Sequence, residues 1–415
     1  MRAGLALLVV AALAAAGCSD RARLNPFDPG NPTTGGRPAG FAAIADDGFV
    51  RLTWDAATSS TVTGFQVFRL APGDTGFKAI SSALPASSTG FLDVGLLDDL
   101  DYRYRLYFLF ASGLGPRPAE DIATPGRVRP WVVDGDRHSL IRVAPDGRRI
   151  SIEDSRFSGP SEVAVDNVTR RVWVSDTFGQ TVYLYDPVTL DLLAFTSVST
   201  PLGIAVRRDD RTAWVCDQGL NAVRHFDPGG GFGSPAQIIP VNGPIAIAID
   251  PVSKVTWVVE RGDQRLAAYA ANGAFQGSVA LDALSRVAVD STTHDVWVSS
   301  FNHGWVVRVT TAPAAADTVT GFSGPIGLAV DARRGRIWVA DALADQVVAL
   351  HRDGSVEFRV SGVAEARNVD VDLATGEAWV TAPGAGSVVR ISPTGVVLRR
   401  LNGLGFPDGI SIGAP

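Results

Sequence analysis

The sequence predicts an all-β chain, a seven-bladed β-propeller closed by its C-terminal strand and preceded by a small β-sandwich. Three observations carry this reading. A Trp-Val strand returns seven times at spacings of 42, 41, 43, 40, 41 and 41 residues. A second apolar strand precedes most of those copies. The two series are offset by one, so the last copy of the second is left to pair with the first copy of the first. Composition agrees, with 415 residues, 46% hydrophobic and 19% charged, enough to bury a large core and to exclude global disorder. Gly (44) and Pro (25) follow no triplet period, which excludes collagen. A net charge of −6 marks no general nucleic-acid binder. Two Cys exclude a disulfide scaffold.

The N-terminus reads as an export signal over residues 1–17. Arg2 precedes an apolar run, residues 5–16, that is shorter than the roughly 20 residues needed to span a bilayer. It ends Ala14-Ala15-Ala16-Gly17-Cys18. This resembles a bacterial lipobox, with Ala15 where Leu is usual. The resemblance implies lipidation at Cys18 and anchoring in the bacterial cell envelope. With Ser19 and no Asp beside the Cys, it implies the outer membrane. Residues 18–37 are rich in Pro and Gly, have no apolar period and read as a flexible tether. Cys216, in an apolar strand, then has no partner and reads as an inert buried thiol.

Residues 38–124 hold short alternating runs between Gly, Asp and Ser turns, such as Phe49-Val50-Arg51-Leu52-Thr53-Trp54 and Tyr102-Arg103-Tyr104-Arg105-Leu106. Period-two patterning predicts an antiparallel sandwich. Trp54, and Leu96 six residues before Tyr102, make this stretch resemble a fibronectin type III domain. The family resemblance implies a spacer or a binding module.

Residues 125–415 are the propeller. The Trp strands begin Trp131-Val132-Val133-Asp134, Trp173-Val174-Ser175-Asp176 and Trp214-Val215-Cys216-Asp217, and four more start at Trp257, Trp297, Trp338 and Trp379. The other series reads Pro160-Ser-Glu-Val-Ala-Val-Asp166, Pro201-Leu-Gly-Ile-Ala-Val-Arg207 and Pro244-Ile-Ala-Ile-Ala-Ile-Asp250, with copies from Leu284, Pro325, Ala366 and Pro407. A third strand ending in a turn and a weaker fourth complete each repeat. Four strands per 41 or so residues make one blade, and radial closure buries both faces of each. These motifs resemble the NHL-repeat class of propellers. Seven Trp are thus one structural position repeated, and the recurring Asp residues read as turn caps.

Function is sought where one blade departs from the others. The residue after the repeated Pro is Ser161, Leu202, Ile245, Ser285, Ile326, Arg367 and Asp408 around the ring. The next is Glu162, Gly203, Ala246, Arg286, Gly327, Asn368 and Gly409. Polar groups gather across the closure and the opposite arc is apolar or small. Glu162, Asn368, Asp408 and Asp134 supply oxygen ligands suited to calcium or another divalent cation. Arg286 and Arg367 suit an anionic or carbonyl group. Asp370 stands where other blades carry Ala, and needs a partner such as Arg367 or an ion. His303 and Trp305 form a further candidate, a stacking platform for a sugar or peptide.

Enzymes of this architecture include gluconolactonase-like hydrolases, the streptogramin lyase type and the peptidyl amidating lyase domain. The resemblance implies a metal held by Glu, Asn and Asp in the first, and added His residues in the lyases. No converging His set, activated Ser, nucleotide loop or zinc motif is visible here, so no catalytic residue is assigned. The reading preferred is a lipid-anchored extracytoplasmic protein that binds a protein, peptide or glycan through the propeller face, without nucleic acid. The alternative is a metal-dependent lactonase or lyase at the channel mouth.

Overall fold

The computed structural model describes residues 27–413, apart from residues 29, 32–33, 47, 99, 127–128, 144–148, 154, 167, 170, 188, 228–234 and 312–313. The signal peptide, Cys18 and the first part of the tether lie outside the described residues. No described helix is long and apolar enough to cross a membrane. The chain divides into two compact units, Met1–Gly126 and Arg127–Pro415.

In the first unit, Ala42–Asp46, Phe49–Thr53 and Gly90–Val94 form one antiparallel sheet. A second is built on the long pair Val62–Leu70 and Tyr102–Phe110. Alternation sends Leu52, Phe65, Val67, Tyr104 and Leu106 into one core with Trp54. The Tyr102 hydroxyl accepts the Leu97 N–H at 3.0 Å and pins the turn before its strand. Part of the segment read as tether is folded here. Phe27 stands edge-on to Phe108 and Phe110 at 5.2 and 5.3 Å and closes the end of that core. One aromatic residue in a Pro-rich stretch shows no period, so composition alone did not reveal this anchor.

The second unit holds four-stranded antiparallel sheets, seven among the described residues. The first strands of successive sheets touch in the order Pro160–Val165, Pro201–Val206, Pro244–Ile249, Val287–Val289, Pro325–Asp331, Val369–Val371, Pro407–Gly413, and the last touches the first again. Such a closed circuit of four-stranded sheets is a propeller-like all-β arrangement. The C-terminal strand lies antiparallel to Arg129–Asp134, with Trp131 opposite Ser411 and Val132 opposite Ile410. The two ends of the unit therefore share one sheet. The Trp strands are buried throughout, each repeated Trp being at most 8% exposed. They fill the gaps between sheets, with Arg142, Arg336 and Arg390 placed over Trp131, Trp338 and Trp379. Cys216 is buried on such a strand, and burial pushes its thiol above the usual range.

The recurring Asp residues cap loops. Asp176 accepts the N–H groups of Ser158, Gly159 and Gly179 at 2.8, 2.8 and 2.9 Å. Asp134 does the same for Gly405 and Phe406 at 2.8 Å, which ties the loop before the closing strand to the first sheet. At the other end of the sheets Asp166, Asp250, Asp290 and Asp372 accept N–H groups two residues on, each at 2.9 Å.

Candidate functional site

The inner strands begin with an irregularity that sets the site. Pro160 faces Asp176 while Glu162 faces Ser175, so Ser161 is an extra residue, and the same shift recurs after Pro201, Pro244 and Pro325. Bulges of this kind re-aim a side chain. Here they turn the first residue after the repeated Pro toward one end of the channel. All seven such residues, Ser161, Leu202, Ile245, Ser285, Ile326, Arg367 and Asp408, line a single cavity of 760 Å³. Loop residues Gln218, Arg261, Gln264, Asp282, Phe301 and Asn302 complete its wall. The next residues inward, including Glu162, Gly203, Ala246, Arg286 and Asn368, line a second cavity of 240 Å³.

Glu162 and Arg286 belong to both cavities and form an ion pair. Their strands are three places apart in the circuit, so the pair spans the channel and separates the chambers. Glu162 is 8% exposed and also accepts from Asn368 Nδ2 at 3.3 Å. Burial pushes its carboxyl above the ordinary range, and the Arg286 guanidinium opposes that shift. Burial likewise works against the charge of Arg286, but Glu162 and Asp408 outweigh it and raise its pKa.

The hydroxyls behind these residues went unnoticed in the sequence. Ser299 Oγ accepts the Arg286 N–H at 3.2 Å and donates to the Ile326 carbonyl at 2.6 Å. Thr381 Oγ1 accepts the Asn368 N–H at 3.0 Å and donates to the Asp408 carbonyl at 2.8 Å. Both stand two residues after a repeated Trp, in the two sheets whose inner strands are shortest, Val287–Val289 and Val369–Val371. Backbone bonds to the same Ser299 and Thr381 persist beside them, so each hydroxyl adds to the ladder at the irregular start of the strand. The available signal was the coincidence of Ser or Thr there with a long polar residue on the strand before.

The four residues read as a cation site are only partly brought together. Glu162 and Asn368 meet. Asp408 is turned onto Arg367 Nε at 2.6 Å, and Arg367 lies over the Phe406 ring at 5.1 Å. Asp134 is fully buried and committed to its loop cap. Among the described residues no group of three His, Cys, Asp or Glu is placed to hold a metal ion. Asp370 is engaged by backbone and not by Arg367. It accepts the Ile412 N–H of the closing strand at 2.7 Å and the Val371 N–H at 2.8 Å. Burial raises its pKa to about 6 and those two bonds oppose the rise. Ser411 Oγ accepts the Val165 N–H at 3.3 Å, so both departures stitch the closing strand to its neighbours.

His303 and Trp305 do not line the cavity. Their rings stack on each other, 5.4 Å apart and 3° from parallel. Trp305 is half-buried against the core between two sheets, so it is less free than a stacking platform requires. His303 Nε2 lies 3.2 Å from Asp282, which does line the cavity. The other histidines sit elsewhere, His294 on Asp250 at 2.6 Å and His225 over Trp214 at 4.9 Å.

No protein-family model matches the chain, and no curated protein matches it by sequence. Solved structures do resemble it. A streptogramin B lyase is 14% identical with a TM-score of 0.54, over 68% of this chain and 91% of that one. A catalytically inactive histidine-to-alanine form of virginiamycin B lyase from Staphylococcus aureus, with quinupristin, is 12% identical with a TM-score of 0.51, over 65% and 87%. A functionally unknown protein from Desulfotomaculum acetoxidans is 14% identical with a TM-score of 0.59, over 69% and 99%. At these identities the likeness defines the fold alone. The chain carries a propeller like that of the virginiamycin B lyases.

Proposed function

We propose that this chain is a lipid-anchored protein of the bacterial cell envelope that binds a protein, peptide or glycan through the cavity at the channel mouth. In this reading its second unit is a seven-bladed propeller and its first is a fibronectin type III-like sandwich acting as a spacer. The observation that carries it is the lining. Seven ring-equivalent residues converge on 760 Å³, a volume in the range of ligand pockets, and most of its charged groups hold one another instead of a reacting centre. The seven four-stranded sheets support the blade count. Trp54 in the core and the Tyr102 hydroxyl bond support the spacer reading.

The test is a peptide and glycan array probed with the full-length protein. Binding that Asp408→Ala and Ile245→Gln weaken supports the reading. Binding that both leave intact places the ligand elsewhere and ends it. For the anchor, Cys18→Ala should move the protein from the membrane to the soluble fraction, and an unchanged membrane fraction defeats the lipidation reading.

A second reading, a lyase acting at the mouth, is favoured by the fold shared with virginiamycin B lyase. The cavity lining contains no histidine, and His303 reaches it only through Asp282. Turnover of a streptogramin B antibiotic that His303→Ala abolishes would support the lyase reading over the binding one.

A further inference from the structure

The lining of the mouth is balanced in charge. It contains three guanidiniums, Arg261, Arg286 and Arg367, and three carboxylates, Glu162, Asp282 and Asp408. Every carboxylate has a partner. Glu162 has Arg286 and Asn368, Asp408 has Arg367, and Asp282 has His303. The guanidiniums keep donors in hand. Each carries five N–H groups in a planar fork. Arg286 meets Glu162 through Nη1, Arg367 meets Asp408 through Nε, and the exposed Arg261 has no side-chain partner among the described residues. Donors on Arg261 and Arg367 therefore remain for an anion to engage, as one oxygen each of Asp282 and Asp408 remains for a donor.

The rest of the wall is divided. Leu202, Ile245 and Ile326 form an apolar arc at ring-equivalent positions, and Phe301 adds to it. Arg367, Asp408 and Ser161 form a polar arc across from them. Arg286 crosses between the two. Its backbone is held by Ser299 at 3.2 and 3.1 Å, which fixes where the guanidinium starts from. If Arg286 turns away, Glu162 keeps the Asn368 bond but loses its counter-charge, a cost that the incoming carboxylate on Arg286 has to outweigh.

From this we infer that the mouth receives a carboxylate carried on an apolar group, with the carboxylate on the Arg286 guanidinium and the apolar part against Leu202, Ile245 and Ile326. Glu162 is the built-in competitor that fills the guanidinium until such a group arrives. The inference rests on the mouth being the binding face. Two sources share this chemistry, the free C-terminus of a peptide ending in an apolar residue and a small aryl or alkyl acid.

The experiment is calorimetric titration of the full-length protein with three probes, N-acetyl-Ala-Ala-Phe as free acid, the same tripeptide as C-terminal amide, and 3-phenylpropionate. The free acid should bind at least tenfold more tightly than the amide. Arg286→Gln should erase that difference, and Glu162→Gln should tighten the acid severalfold without changing the amide. Thermal unfolding of each variant shows that it is folded, and Arg286→Lys, which keeps the charge and loses the fork, should recover part of the preference. Tighter binding of the tripeptide acid than of 3-phenylpropionate assigns the peptide source, and the reverse assigns the small acid. Equal binding of acid and amide, retention of the preference in Arg286→Gln, or no binding of any probe overturns the inference. An array ligand whose affinity is indifferent to Arg286→Gln would leave the binding function standing while removing this account of it.

Discussion

The inner strands on either side of the closure and those opposite share one backbone geometry and serve different ends. Opposite the closure, Leu202, Gly203, Ile245, Ala246, Ile326 and Gly327 are apolar or small, and the strands come close. A Cβ at Gly203 would stand 2.8 Å from the Ala246 Cα, and one at Gly327 would stand 2.7 Å from the Asn368 Cα. At the closure the same positions carry Arg367, Asn368, Asp408 and Glu162, and Asp370 and Ser411 reach across to backbone N–H groups. The inner strands approach closely in both arcs, and the closure adds side-chain hydrogen bonds to that proximity. A repeat fixes the scaffold, so departures from it show where chemistry or closure has been added.

Removing the closing strand tests this most severely. A chain ending before Pro407 loses the partner of Arg129–Asp134, the Ile412 bond to Asp370 and the Ser411 bond to Val165. The expected result is loss of the single cooperative unfolding transition and rapid proteolysis of the second unit. A truncated chain that melts like the full one would show that the circuit does not depend on its tail.

The next effect is one of pH. Burial raises the Asp370 pKa in the folded protein to about 6, whereas an ordinary aspartate carboxyl titrates at 3.8. The folded state therefore binds the proton more tightly, and this contribution to stability is full below the lower value. It falls as the pH rises through about 6, by roughly 3 kcal/mol. Denaturant unfolding from pH 4 to 7 should show that fall in the native chain and its absence in Asp370→Asn. Parallel curves would refute the assignment.

A smaller effect is expected at Gly409, on the closing strand itself. A Cβ there would lie 2.7 Å from the Glu162 Cα, so the neighbouring backbone has to shift. Gly409→Val should cost about 1–3 kcal/mol, read by denaturant unfolding. An unchanged midpoint would mean that the strands are less closely set. The smallest effect is at Arg367, whose side chain is 38% exposed. Arg367→Ala should change stability by less than about 1 kcal/mol, a much larger loss being the contrary result.

Much of the mouth was legible because a repeat lets seven positions be compared within one sequence. Ser161, Leu202, Ile245, Ser285, Ile326, Arg367 and Asp408 were aligned by their distance from Pro or its substitute, and all seven line one cavity. Their partners were not legible. Glu162 meets Arg286 because the circuit brings distant strands face to face, and nothing local to either residue encodes that meeting. Asp134 resembled a ligand by composition, yet its loop took both oxygens. Trp305 read as part of a stacking platform, but the core between two sheets took part of its ring.

The sequence by itself determined the strands, their period and the offset that brings Pro407–Gly413 beside Trp131, because alternation and turn chemistry act over a few residues. Tertiary structure alone decided which charges are spent and which remain available. That depends on how closely the inner strands converge, and convergence is set by the packing of whole sheets, to which each residue contributes without specifying the result.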